Sequence, residues 1–423
     1  MNIMITDNLN MLILCVVLLI TNSQVIAQDT STDISPDNMV SGLTNGSPIK
    51  QKAKQENTLL STQNTVIKTD KELNRIMTEI GNVMTVIFPI IFSEKPLTKS
   101  QNYAVYNSVT QLKTLFSRAG PYITKKSPTY QMSYQLLNDY LESIIVEDNP
   151  VSLLEIKSRL TTLSNFCVSC HTQDSEFRTI FRDTHTTQFS SDLERGEFNY
   201  ATRNYDVAQS FYKRYLLSTK LSDADTLRII FKTLSINTQI INNPKAALDF
   251  LSDLQEEGNF SQELDQFLQE STEAISSLIE QKETDEKSIS FSRLSEYANN
   301  YLGNSSFGQG IIFSTTAEKI ERLWFRGLLF RYLNNAPRPD QIPLILYWLA
   351  LCDLSLGGDY DFNLADFYIK QCITRYSAHP FAKTCFDEYK AYVKFYYTTP
   401  TEPVLPFEIN DELVKLKKHL DKK

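Results

Sequence analysis

The chain has six cysteines and four histidines, and three of these ten residues stand together in Cys167-Val168-Ser169-Cys170-His171. On a helix, residues four apart share a face, so Cys167 and His171 lie one turn from each other with Cys170 on the same stripe. Two thiolates held this way can add to the two vinyl groups of one porphyrin while the imidazole stands over the iron. That is the attachment chemistry of a c-type haem, and it explains the C-x-x-C-H spacing. With cysteine and histidine this scarce, chance would supply the pattern in roughly one such chain per thousand. A zinc site would need about four ligands. No second C-x-x-C exists to supply them, since Cys352, Cys372 and Cys385 are too far apart in sequence. A thioredoxin-type redox pair would need a βαβ context, which the surrounding pattern does not offer. Elsewhere the sequence has no phosphate-cradling glycine loop, no G-x-S-x-G and no histidine-rich constellation, so the chain is read as a non-enzyme.

The elements that must position this motif are helical. From about residue 64 to 182, apolar residues recur at spacings of three and four in four segments. The first carries Leu73, Met77, Ile80, Met84, Ile87 and Ile91, and the second Val105, Val109, Leu112 and Phe116. The third carries Tyr130, Tyr134, Leu137, Leu141 and Ile144, and the fourth Leu153, Ile156, Leu160, Leu163, Cys167 and Cys170. Narrow seams of this period are what antiparallel bundle helices present to one another. Pro96 with Thr98, Gly120-Pro121 and Asn149-Pro150 mark the breaks. The expectation is an up-down-up-down four-helix bundle over 61–189.

Beyond it, Gly196, Phe198, Tyr205, Ala208, Tyr212 and Tyr215 fit the small and aromatic positions of a tetratricopeptide-type helix pair. Small residues there let two helices approach, and aromatics fill the space between pairs. A weaker copy follows at Leu227 to Ile241 with Asn243-Pro244, Ala246, Ala247, Phe250 and Leu251, and a third runs from Ile342 to Tyr376. Between them Ser261 to Lys282 and Thr315 to Leu333 read as longer helices, the latter opened by a Thr315/Glu318 capping box. Phe381 to Tyr397 would close the stack. Residues 190–398 are therefore read as a tetratricopeptide-like helical solenoid, and 399–423 as a C-terminal tail. Cys372 and Cys385 lie on consecutive predicted helices, close enough for a disulfide in an oxidising compartment, with Cys352 left as a buried thiol.

Composition agrees with an all-α, multidomain protein. Only 12 glycines and 15 prolines among 423 residues argue against a β-sandwich, which needs many turns. A formal charge of -8 argues against a nucleic-acid binder, which needs a positive field. Met11 to Ile20 is an apolar run followed by Val25-Ile26-Ala27, so residues 1–27 read as a signal peptide cut after Ala27, too short to span a bilayer. Residues 28–60 are polar without an apolar period and read as a flexible leader. The mature protein is expected in the periplasm or otherwise exported, with no membrane span. Export suits the motif, because covalent haem attachment in bacteria takes place on that side of the membrane.

A bundle of about this length with C-x-x-C-H near the end of its last helix resembles the cytochrome c-prime family and its Met-ligated, low-spin relatives. The resemblance implies one covalently bound haem c, with Cys167 and Cys170 as the thioether cysteines and His171 as the proximal iron ligand. Counting back about five turns from the break at Pro96 places the family's distal position on Met77. Met77 also lies on the inward seam of the first helix; Met84, one heptad later, is the second choice. A core methionine is the alternative for both, and a five-coordinate iron the alternative for the site. The chain departs from the family after His171, because the aromatic and basic residues that usually follow closely arrive only at Phe177-Arg178. His185, His379 and His419 are read as structural. The leading functional reading is an electron-transfer cytochrome whose helical repeats dock a protein redox partner. A five-coordinate protein that binds or senses a gas such as nitric oxide, and a periplasmic scaffold with structural haem, are the other two.

Overall fold

The computed structural model describes residues 55–91, 98–123, 131–132, 134–138, 141, 189, 191–201, 203–219, 221–281, 289–335, 337–357, 364–399 and 401–421. Among these residues the chain is all-α, with no strand. Helix α1 (Gln55–Ile91) and helix α2 (Lys99–Ile123) open the order. α1 buries Leu73, Ile76, Ile80, Val83, Met84, Ile87 and Phe88, and α2 buries Val105, Val109, Leu112 and Phe116. On α1 the buried stripe is wider than the narrow seam expected, as a helix with neighbours on more than one side requires. Thr98 caps α2: its Oγ1 accepts from the Gln101 N–H, and the Gln101 side chain accepts from the Thr98 N–H. The expected break at Gly120-Pro121 comes later, because Pro121 sits in the last turn of α2 and forgoes one ladder bond there. Gly120 is needed for approach, since a Cβ on it would lie 2.4 Å from the Tyr134 hydroxyl. The third predicted seam is seen in part, with Leu137 and Leu141 buried and Tyr134 packed against the same core. The fourth, with Pro96 and Asn149-Pro150, lies outside the described residues.

Next come α3 (Asp192–Ala201), α4 (Tyr205–Ser218) and α5 (Asp223–Leu234). In the α3–α4 hairpin a Cβ on Gly196 would fall 2.6 Å from the Tyr212 ring, so glycine sets how closely the two helices pack. α5 continues as a π-helical turn over Ser235–Ile240, which the sequence reading took as ordinary helix. The reason lies opposite it: Gly327 abuts the Gln239 backbone, where a Cβ would meet the carbonyl oxygen at 2.5 Å, and Arg331 donates to that oxygen. Helices α6 (Pro244–Glu257), α7 (Gln262–Gln281) and α8 (Phe291–Leu302) follow. Asn243 caps α6 with Pro244 in its first turn, and Ser290 caps α8.

α9 (Thr316–Asn334) begins at the expected Thr315/Glu318 capping box. α10 (Ile342–Leu356) is buried on nearly every side, and α11 (Ala365–Arg375) and α12 (Phe381–Tyr397) are joined by the Cys372–Cys385 disulfide. Cys352 is a buried free thiol. α12 does not close the stack: α13 (Phe407–Leu420) forms within the stretch set apart as a tail, burying Leu413 and Leu416. Charged residues on three sides hide that short apolar stripe in the sequence.

Ser61–Lys423 forms one compact unit. One apolar core runs from α1 and α2 through Phe189 and Phe198 to α9–α13, and a second lies under α3–α7. Phe88 of α1 meets Phe198 of α3 edge-on at 5.7 Å between ring centroids, and Phe198 meets Phe189 at 5.1 Å. Aromatic contact therefore crosses the residue 189/190 boundary expected between bundle and repeats.

Candidate functional site

Cys167, Cys170 and His171 lie outside the described residues, as do His185 and the signal segment 1–27. The site residues that the structure places are the two methionines of α1. Met84 is buried in the core at 8% exposure, whereas Met77 is half-buried and packed against the edge of that core. Leu73, Ile76 and Ile80, all buried, are the aliphatic residues within one turn of Met77 on its own helix. Met84 serves packing on all sides; Met77 keeps part of its surface unspent. Of the two, Met77 is the more exposed side chain.

An ion-pair ladder fixes α1 against α2 at this level. Arg75 bonds to Glu72 and Glu79 on its own helix, and Arg118 of α2 reaches Glu79 at 3.0 Å. The hydrogen bond from Arg75 holds the Glu72 carboxyl below its usual range. These groups are exposed and each pair is worth little alone, but together they set the register of the Met77 turn relative to α2. Below them the buried side chains of both helices close the seam.

Sequence reasoning did not anticipate two buried ion pairs. Arg326 of α9 and Asp353 of α10 are both fully buried and joined Nε to Oδ1 at 2.5 Å. Asp353 also accepts from the Leu364 N–H at 2.9 Å, which caps the start of α11, and Arg326 reaches the Tyr368 hydroxyl. Burial pushes the Asp353 carboxyl up from its ordinary value, against the pull of Arg326 and of the Leu364 N–H. The second pair joins Lys232 of α5 to Glu197 of α3 at 2.7 Å, with the ammonium 5.5 Å from the Tyr200 ring centroid. The only sequence signal for either was a charged residue on an otherwise apolar stripe. Both tie neighbouring helices together and neither adjoins a reactive cluster. Burial drives the Cys352 thiol up to about 12, so it stays protonated and offers no thiolate for nucleophilic or ligand chemistry.

Among the described residues no helix is long and apolar enough to cross a membrane. Comparisons of the chain with protein-family models, curated proteins and solved structures return no match.

Proposed function

We propose that the chain is an exported c-type monohaem cytochrome that carries electrons to or from a protein partner docked on its helical repeats. One observation carries this reading: the C-x-x-C-H of Cys167 to His171, in a chain that is all-α among the described residues and whose first described helix carries Met77 and Met84. The donor set fits the group. Two thiols and one imidazole at this spacing suit covalent attachment, and the half-buried Met77, packed against the core, carries a thioether, a soft donor of the kind that iron accepts. Cys167 and Cys170 would hold the porphyrin, His171 would be the proximal ligand, and Met77, with Met84 as second choice, the distal one. Bound haem supplies a one-electron iron couple, and a thioether ligand raises its potential. The chain's own part is positional: the α1–α2 ladder and seam hold the Met77 turn against the core.

The finer architecture belongs to the same proposal: signal peptide 1–27, leader 28–60, four-helix haem bundle 61–189 and tetratricopeptide-like repeats 190–398. The close α3–α4 hairpin, with Gly196 against Tyr212, supports the repeat assignment. Expression with a haem-maturation system followed by acid-acetone extraction tests the core of the reading. The colour should stay with the polypeptide and be lost from it in Cys167→Ala/Cys170→Ala; extraction of all haem from the wild-type chain would end the cytochrome reading.

A further inference from the structure

The chain carries a formal charge of -8, and three of the seven described lysines from Lys370 onward are paired with carboxylates: Lys370 with Asp366, Lys383 with Asp387 and Lys415 with Asp411. A groove of about 670 Å³ between α12 and α13 brings two of the other four together. Its apolar part is formed by the buried Phe386 and the half-buried Leu420. Lys390 of α12 and Lys417 of α13 line it and make no ion pair among the described residues. His379 lines it too; its Nδ1 accepts the Phe381 N–H at 3.1 Å, so Nε2 is the nitrogen left to donate. The wall is built on a fixed turn, because the Cys372–Cys385 disulfide closes α11 on α12 around His379. Against Lys383, Lys390 and Lys417 stand Asp387, already spent on Lys383, and Asp421.

We infer that this groove docks an acidic amphipathic segment of a protein partner, with carboxylates on Lys390 and Lys417 and an apolar side chain over Phe386 and Leu420. Unpaired cations attract carboxylates, and the acidic remainder of the chain repels them, which steers an acidic partner to this face. The apolar floor favours a segment that carries a hydrophobic residue over a bare anion, and the volume exceeds what a simple anion fills. The inference gives the electron-carrier reading a face for its partner, but its argument does not involve haem. Its failure would therefore leave the haem assignment standing.

The test uses the full chain and two fluorescent probes: a short helical peptide with glutamates flanking a leucine stripe, and the same peptide with glutamine for every glutamate. Anisotropy at low salt should show binding of the glutamate peptide, weakening on adding salt, and about tenfold weaker binding to Lys390→Glu/Lys417→Glu. Lys245→Glu, on the exposed side of α6, should bind like wild type. Far-UV circular dichroism checks that both variants stay folded. Equal binding by the double variant, or equal binding of the glutamine peptide, overturns the inference. Displacement of the peptide by low inorganic phosphate would make this a small-anion site, and Lys390/Lys417-dependent binding to phosphatidylglycerol vesicles without peptide binding would make it a membrane contact. Either result also overturns it.

Discussion

Removing one side of the buried Arg326–Asp353 pair gives the sharpest energetic test of how α9 and α10 hold together. Both side chains are fully buried, so Asp353→Asn takes away the counter-charge that Asp353 gives the Arg326 guanidinium, in a medium that solvates a charge poorly. Breaking such a pair from one side costs about 3–5 kcal/mol, mostly from the charge left behind. The loss should be partly softened, since the amide oxygen can still take the Leu364 N–H that Asp353 now accepts. Arg326→Met should cost a similar amount, because it strands the carboxylate. In Arg326→Met/Asp353→Leu both charges of the pair go together, and the loss includes the orphaned Leu364 N–H, about 1–3 kcal/mol. Urea unfolding followed by far-UV circular dichroism measures all three, and the double-mutant cycle isolates the coupling. Single variants within about 1 kcal/mol of wild type, or a double variant whose loss equals the sum of the singles, would refute the reasoning.

Gly196→Ala should lower stability by about 1–3 kcal/mol, since its methyl must displace the Tyr212 ring, and Tyr212→Leu in the same chain should recover part of the loss in the same unfolding assay. Cys372→Ser/Cys385→Ser, compared under oxidising conditions, should lose about 2–3 kcal/mol, because the bridge closes a loop of 13 residues; an unchanged urea midpoint would contradict it. Hydrogen bonds from Arg214 and Arg195 hold the Asp192 carboxyl below its ordinary 3.8. A depressed folded value contributes stability above the unfolded value that is lost as pH falls through the folded one. Asp192→Asn should therefore cost up to about 1 kcal/mol at neutral pH and nothing once both states are protonated, as urea titrations at the two pH values would show.

Much of the described architecture was legible because it rests on local rules. The stripe Val105, Val109, Leu112 and Phe116 is buried as its spacing requires, α9 starts at the Thr315/Glu318 box, and α12 occupies Phe381 to Tyr397 as expected. The misses are tertiary. The π-turn at Ser235–Ile240 answers to Gly327, about ninety residues away, and no local pattern encodes that approach. The helix containing Leu413 and Leu416 is short and charged, and packing against α11 and α12 stabilises it: Lys370 bonds to Glu412, and the Tyr389 hydroxyl donates to the same carboxylate. Ile76, Val83 and Phe88 were missed because a seam of period 3.5 allows one neighbour, whereas α1 also meets Phe198. For the candidate site the sequence supplied the C-x-x-C-H spacing on which the haem proposal rests. It placed Met77 and Met84 on one seam but could not show that Met84 is buried and Met77 half-buried, because that depends on tertiary packing.

The optical spectrum of the matured protein, oxidised and reduced, tests most directly whether it is a Met-ligated electron carrier. The reduced wild-type protein should show the sharp, split visible bands of low-spin haem, and the oxidised protein a weak sulfur-to-iron band at the red edge of the visible. Met77→Ala should abolish that band, lower the reduction potential and admit carbon monoxide, while Met84→Ala should leave the spectrum nearly unaltered. A wild-type protein that is already high-spin and binds carbon monoxide would contradict the electron-carrier account and put the gas-ligand reading in its place.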